Sequence, residues 1–204
     1  MSPIERSQSL PAHGYEPPDD ADDGEQRSDA LLTARASEGD DEAFEQLVRR
    51  HGPVLLRLAT RLLGSRSEAE DAVQESFVSA WRRLPEFREN SAFGTWMYRI
   101  VTNRCLNVLR ARRPVVTLDA VSEPAAAEHQ VSPARAAEGR AAVEALSKAM
   151  VVLSPEQRVC WVLREVDGLP YDAIADMVGI SQEAARGRVF RARRQLTEAM
   201  VAWR

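Results

Sequence analysis

An all-α chain built as two small helical domains joined by a flexible linker is what this sequence predicts, and three observations predict it. Ala, Leu, Arg and Glu dominate a 204-residue chain that is 44% hydrophobic, enough to bury real cores. Apolar residues recur at steps of three and four through several long segments, the signature of helices with one buried face. Strand-like patterning is confined to the short Val115–Leu118.

The elements follow in chain order. Residues 1–35 read as an acidic tail rich in Pro, Asp, Ser, Glu and Gly. Residues 1–30 alone hold two Arg against eight Asp/Glu, a net −6. With almost no large apolar side chains, such a segment cannot offset its ordering entropy and is expected to be disordered. A plain solvated tail and an acidic arm that competes with DNA for basic faces both fit this composition. The first folded body spans 36–113. From Asp41, the residues Phe44, Leu47, Val48, Leu55, Leu58 and Leu62 give one helical face. His51-Gly52-Pro53 interrupts it as a kink or a break between two helices, and Gly64 ends it.

Ser67 and Glu70 have capping-box spacing and open a helix that runs to Leu84. Its inner stripe is Ala69, Val73, Phe77, Ala80, Trp81 and Leu84, and Pro85 stops it. Asp71, Gln74, Glu75 and Val78 lie off that stripe, as a solvated acidic face or a face for a partner. A polar loop, Glu86–Ser91, surrounds Phe87. The next helix begins near Ser91 and runs towards Arg113, with Trp96, Ile100, Leu106 and Leu109 inward. Asn103 and Asn107, four apart, share a face with Arg99 and Arg110 close by. Asparagine is a poor choice inside a helix. Beside arginines, the pair fits either solvated polar positions or contacts to DNA, because an Asn amide pairs with an adenine edge or donates to phosphate.

Residues 114–140 form a linker with three of the eleven prolines and no sustained period. The second body spans 141–204. Val143, Leu146, Met150 and Leu153 make one amphipathic stretch. Ser154-Pro155-Glu156-Gln157 is a helix start, with Ser as N-cap, Pro at the first position and Gln three on. Val159, Val162, Leu163 and Val166 are its buried side, ended by Asp167-Gly168. Ile174, Ala175 and Val178 then give a short helix an apolar face. Gly179 supplies a positive-φ turn, Ile180 seals the corner, and Ser181 caps the last helix. There Ala185, Val189, Ala192 and Leu196 form one buried stripe, while Arg186, Arg188, Arg191, Arg193 and Arg194 fall within nine residues free of acid. This is a helix-turn-helix pattern whose second helix presents cations.

The overall charge of −4 hides this segregation: residues 39–113 carry thirteen Arg against ten acids, and residues 141–204 nine Lys/Arg against eight. Local basic faces keep nucleic acid open as a partner. Cys105 and Cys160, 55 residues apart with no histidine at ligand spacing, read as buried thiols of a reducing compartment, so no metal is expected. There is no 18-residue apolar span and no apolar N-terminal run, which argues against a membrane protein or a signal peptide and for a cytoplasmic chain. His13, His51 and His129 are isolated, no nucleophile motif occurs, and the acids at 68–75 run along a helix face. No catalytic residue, enzyme activity or cofactor is therefore expected.

Four blocks carry a resemblance. D-E-A-F-E-Q-L-V-R-R-H, S-E-A-E-D-A-V-Q-E-S-F-V-S-A-W-R and F-R-E-N-S-A-F-G-T-W-M-Y-R-I-V-T-N-R-C-L-N-V-L-R resemble the first conserved domain of extracytoplasmic-function sigma factors of the sigma-70 family. The run from Leu153 to Leu196 resembles their second domain. The resemblance implies a subunit that binds core RNA polymerase and directs it to two promoter elements for transcription initiation. Residues 36–113 then correspond to region 2 and residues 141–204 to region 4.

It also implies roles. Asp71, Gln74, Glu75 and Val78 match the face that docks on the clamp of the beta-prime subunit, with the flap of the beta subunit as the other core contact. Phe87, Arg88, Asn90 and Ser91 match the loop that captures a flipped base of the minus-10 element. Arg99, Asn103, Asn107 and Arg110 match the helix that reads it. Ser181, Glu183, Arg186, Gly187, Arg188, Phe190 and Arg191 match the reader of the minus-35 element; Arg186, Gly187, Phe190 and Arg191 would face bases, while Arg188, Arg193 and Arg194 would hold phosphate or stay solvated. An anti-sigma factor is the partner implied for control. The recognition helix departs from the usual Gly-Thr-Val-Lys-Ser run: here it reads Glu183-Ala184-Ala185-Arg186-Gly187. Gly187 costs the helix on the order of 1 kcal/mol against Ala, and the promoter sequence does not carry over. The alternative is a stand-alone helix-turn-helix regulator that binds DNA without polymerase.

Overall fold

The structure is a computed structural model and describes residues 23–87, 92–112 and 149–201. Among the described residues all regular structure is helical: α1 Asp23–Ser37, α2 Asp41–Leu63, α3 Arg66–Arg83, a 3-10 turn Leu84–Glu86, α4 Phe93–Ala111, α5 Pro155–Glu165, α6 Tyr171–Val178 and α7 Gln182–Val201. Helices α1 to α4 form the first body and α5 to α7 the second. The expected linker 114–140, with Val143 and Leu146 beyond it, lies outside the described residues, as does the tail before residue 23.

The tail is shorter than expected. From Asp23 the chain is helical, and α1 packs Leu32, Thr33 and Ala36 against α2 and the 3-10 turn. Polar composition hid this because α1 is fixed by distant charges. Asp29 accepts a hydrogen bond from Arg50 at 2.8 Å, and His51 Nε2 lies 2.7 Å from its other oxygen. Burial pushes the Asp29 carboxyl up, but the His51 and Arg50 contacts outweigh it and hold the group below its ordinary value.

Asp40 caps α2 by accepting from the Ala43 amide, and left-handed Gly64 closes it, donating its N–H to Thr60 O at 2.8 Å. Of the two expectations at His51-Gly52-Pro53 the break does not occur, and α2 continues through Pro53. The His51 ring packs on Phe93, 5.3 Å between centroids. Tertiary contact at this point offsets one missing backbone donor. Leu47, Leu55, Leu58 and Leu62 of α2 meet Ala69, Phe77 and Ala80 of α3 and Met97, Val101 and Cys105 of α4 in one core. Each fully buried leucine contributes about 2 kcal/mol.

The cap of α3 is Ser65, whose side chain accepts from the Glu68 amide, and not Ser67. Both serines have a glutamate three residues on. Ser65 has the extended backbone a cap needs (φ −132°, ψ 123°), whereas Ser67 is already helical. On α4 the buried stripe centres on Met97, Val101 and Cys105, and the expected Trp96 and Ile100 flank it half-buried.

In the second body the Ser154–Gln157 capping box forms in both directions. Val159, Val162 and Leu163 are buried as expected, but Val166 is 47% exposed because α5 ends at Glu165. Gly179 adopts φ +71° between α6 and α7, and Ile174, Ala175 and Met177 pack inward. The two bodies touch: α4 lies against α5 and α6, and the end of α2 against α5.

Candidate nucleic-acid interface

The turn chemistry of the last two helices decides what α7 shows to solvent. Ser181 Oγ accepts from the Ala184 amide at 3.1 Å and starts the helix. Ala185, Val189, Ala192 and Leu196 are all buried, so the opposite face must point outward. That face carries Glu183, Arg186, Phe190 and Arg191, and Phe190 is 68% exposed.

The arginines of α7 are not equivalent. Arg193 pairs with Glu165 at 2.7 Å and Arg194 with Glu198 at 2.9 Å. Arg188 is half-buried. Arg186 lies over the Tyr171 ring, 5.5 Å from its centroid, with Arg164 at 4.7 Å. Arg191 folds back over Gly187, where an added Cβ would come within 3.3 Å of its guanidinium. Among the described residues neither Arg186 nor Arg191 has an acidic partner, so their charge is available to an anion.

The face expected on α4 is only partly open. Arg99 and Asn107 are exposed. Asn103 Nδ2 donates to Arg99 O at 3.0 Å and to Met177 O of α6 at 2.9 Å. Arg110 pairs with Glu156 of α5 at 2.8 Å. Asp167, just past α5, accepts from the Tyr98 hydroxyl at 2.5 Å and from Arg61 at 2.6 Å. Burial pushes the Asp167 carboxyl above its ordinary value, against the pull of those two donors. At the start of this face Phe87 packs against Trp96 at a tilt of 42°, 4.7 Å between centroids. Together with Arg83 and Glu86 they line a notch of about 340 Å³. Arg88, Asn90 and Ser91, expected in the same loop, lie outside the described residues. Sequence reasoning missed Arg83 and took Trp96 for core; its half-burial beside a loop aromatic is visible only in three dimensions.

A second surface lies between α2 and α3. Asp71, Gln74, Glu75 and Val78 are all exposed. Gln74 and Val78 line an open groove of about 720 Å³ whose floor is Phe44, Val48, Phe77 and Trp81. Phe44 sits 4.7 Å from Trp81 and edge-on to Phe77 at 6.2 Å. Asp71 and Glu75 stand outside the groove, and Glu75 pairs with Arg104. The surface is therefore an apolar trough whose lining also includes the carboxylate-bearing Asp41, Glu45 and Glu70. Phe44, Val48, Phe77 and Trp81 had looked like plain core.

The two cysteines are buried, and burial pushes the thiols up, Cys105 to about 12 and Cys160 to about 11. Thiols held protonated in this way are inert.

Comparison with known proteins agrees with this geometry. Residues 47–115 match sigma-70 region 2, and residues 143–196 match sigma-70, region 4. The RNA polymerase sigma-H factor of Pseudomonas aeruginosa is 37% identical over 185 residues, covering 86% of this chain and 95% of that protein. The ECF RNA polymerase sigma-E factor of Salmonella typhimurium is 36% identical over 177 residues, covering 83% and 92%. Among solved structures, the sigma factor RpoE of Bartonella quintana, crystallised with the anti-sigma factor NepR, superposes with a TM-score of 0.59. That pair is 25% identical, with 79% of this chain and 98% of that one covered. With both regions present in order and relatives matched over nearly their whole length, the chain belongs to the extracytoplasmic-function branch of the sigma-70 family of RNA polymerase sigma factors.

Proposed function

We propose that this chain is an alternative sigma factor that recruits core RNA polymerase through the α2–α3 trough and reads promoters with α4 and α7. The observation that carries the reading is the outward face of α7. Arg186, Phe190 and Arg191 project from a helix whose other side is fully packed, and the two cations have no acidic partner among the described residues. An Arg guanidinium pairs bidentately with guanine O6 and N7 in the major groove, and a capped helix-turn-helix delivers its second helix there. Glu183 near the helix start suits a cytosine amine.

The trough supplies what polymerase docking requires. A helix pair laid across Phe44, Val48, Phe77 and Trp81 buries an aromatic-rich patch, with Gln74 and Val78 setting the register at the rim. The beta-prime clamp is the docking site this suits. Once core polymerase holds both bodies, two modest DNA readers act together through effective concentration. The minus-35 contact made by α7 gives register. Asn103, Asn107, Arg99 and Arg110 on α4 read the minus-10 strand, and the Phe87–Trp96 notch offers an aromatic wall for a base taken out of the stack. An anti-sigma factor is the controlling partner, by analogy with the Bartonella quintana complex.

Run-off transcription with purified core polymerase on a library of promoter fragments tests this. Specific start sites that appear only when the chain is added are the expected result. Tight promoter binding by the chain alone, unchanged by core enzyme, would instead make it a conventional DNA-binding regulator.

A further inference from the structure

We infer that His51 is a positioning residue for the Phe87–Trp96 notch, and that α1 acts on promoter reading through it, with Asp29 as the fastener. The inference rests on the reading of that notch as the aromatic wall for an unstacked base.

The first turn of α4 carries the wall. Phe93 is buried, and Trp96, three residues on, meets it edge-on at 5.9 Å between centroids. Local chemistry does little to fix this turn, because the N-cap position is Ala92, whose side chain makes no capping hydrogen bond. Its support comes from α2. The His51 ring sits 5.3 Å from the Phe93 ring. One edge of the imidazole faces Gly94, where an added Cβ would come within 3.1 Å of Cε1 and 3.2 Å of Nδ1. Gly94 has no positive φ, so what this position requires is space, and the His51 ring fills it.

The other edge of the ring belongs to α1. Nε2 lies 2.7 Å from the Asp29 carboxylate, which also accepts from Arg50 at 2.8 Å. His51 is thus held by Asp29, Phe93 and Gly94 at once, with 22% of its side chain exposed. Without Asp29 the ring is free to turn. Close-packed side chains pass a displacement on, so Phe93 and then Trp96 would follow it.

Helix α1 also reaches the notch by a second route. It packs against the 3-10 turn Leu84–Glu86. Glu86 lines the notch beside Arg83 and Phe87. The notch is built from two elements, the end of α3 with its turn and the start of α4. One is braced by α1 directly and the other through His51. A site of this kind holds its ligand only while its walls keep their spacing, which is the task of the residues behind them.

Holoenzyme binding to forked promoter DNA tests this. A series of forks carries an abasic site at each unpaired position of the minus-10 strand in turn. The affinity ratio of intact to abasic fork then isolates what the missing base contributed. In the natural chain one position should show a ratio of about tenfold, the worth of one stacked base. Trp96→Ala should bring that ratio close to unity, which tests the notch itself. His51→Ala should lower it most of the way. His51→Gln should do the same, since its amide still reaches Asp29 but offers Phe93 no ring. Asp29→Ala should lower it by less. Gly94→Ala should lower it in the natural chain and not in His51→Ala, where the added methyl meets no ring. A role confined to the stability of the first body would weaken binding to both forks alike and leave the ratio where it was. A full ratio in His51→Ala and His51→Gln, with Trp96→Ala at unity, overturns the positioning role and leaves the notch standing. A full ratio in Trp96→Ala removes the notch from base capture, and the role of His51 with it.

Discussion

Helices α7 and α4 are both assigned to DNA, yet the structure leaves them in opposite conditions. On α7 the packed stripe and the reading face are separate sides of one helix, and Arg186, Phe190 and Arg191 are exposed, with only the Tyr171 ring under Arg186 and Gly187 under Arg191. On α4 the reading face is also a packing face, and Asn103 and Arg110 already hold partners from the second body. A polar group hydrogen-bonded inside the molecule gains little from a new partner, because one bond is exchanged for another. One reader is therefore ready and the other conditional. On the proposed reading α7 meets duplex DNA as it stands, whereas Asn103 and Arg110 of α4 must first exchange their present partners.

The strongest way to break this comparison is to unfold the second body alone. Val189→Asp places a carboxylate at a fully buried position of α7 and should cost on the order of 3–5 kcal/mol. Circular dichroism melts should show an early transition for α5–α7 and a later one for α1–α4, with minus-35 preference abolished. A single unchanged transition would show that the two bodies do not melt separately.

Next in size is the double variant Asn103→Ala with Asn107→Ala. Two base contacts at about 1–3 kcal/mol each should depress run-off transcription strongly while co-elution with core polymerase is unchanged. Loss of core binding would move this face from DNA to polymerase. A smaller and sharper contrast lies within α7. Arg186→Ala should weaken minus-35 discrimination by roughly 1–3 kcal/mol. Arg194→Ala, whose guanidinium is already paired with Glu198 on an exposed face, should leave promoter ranking as it was. Equal effects from the two would mean that α7 binds by charge alone.

What the sequence made legible follows the same division. The α7 stripe, the Gly179 turn and the Ser154 capping box were readable because local signals and tertiary packing agree there. The continuity of α2 was not. His51-Gly52-Pro53 has breaker chemistry, and only the distant partners Phe93 and Asp29 hold His51 in a helix. The start of the first body was missed for the same reason, since among its described residues α1 buries only Leu32, Thr33 and Ala36 and depends on Arg50 and His51. Asp167 looked like the end of a helix. Its contacts to residues 69 and 106 positions away have no local pattern. The trough was hidden in the opposite way. Phe44, Val48, Phe77 and Trp81 have core periodicity, and no sequence pattern says that the layer above them is missing.

The smallest effect concerns α1, and its sign is fixed by Asp29. The Asp29 carboxyl titrates below its ordinary 3.8 because Arg50 and His51 favour the charged form more than burial opposes it. The ionised group therefore binds α1 to α2, and that contribution is fully present above the ordinary value. It should fade as pH falls through the lowered one. Urea midpoints for the natural chain and Asp29→Asn, compared between about pH 5 and about pH 2, should differ at the upper end and converge at the lower. The variant keeps the shape of the side chain but cannot take a charge, so the converging part isolates the ion pair from packing. Because α1 packs mainly on α2, the effect should stay within the first body, and the unfolding midpoint of the second body should be the same in Asp29→Asn. A shifted midpoint there would tie α1 to the second body as well.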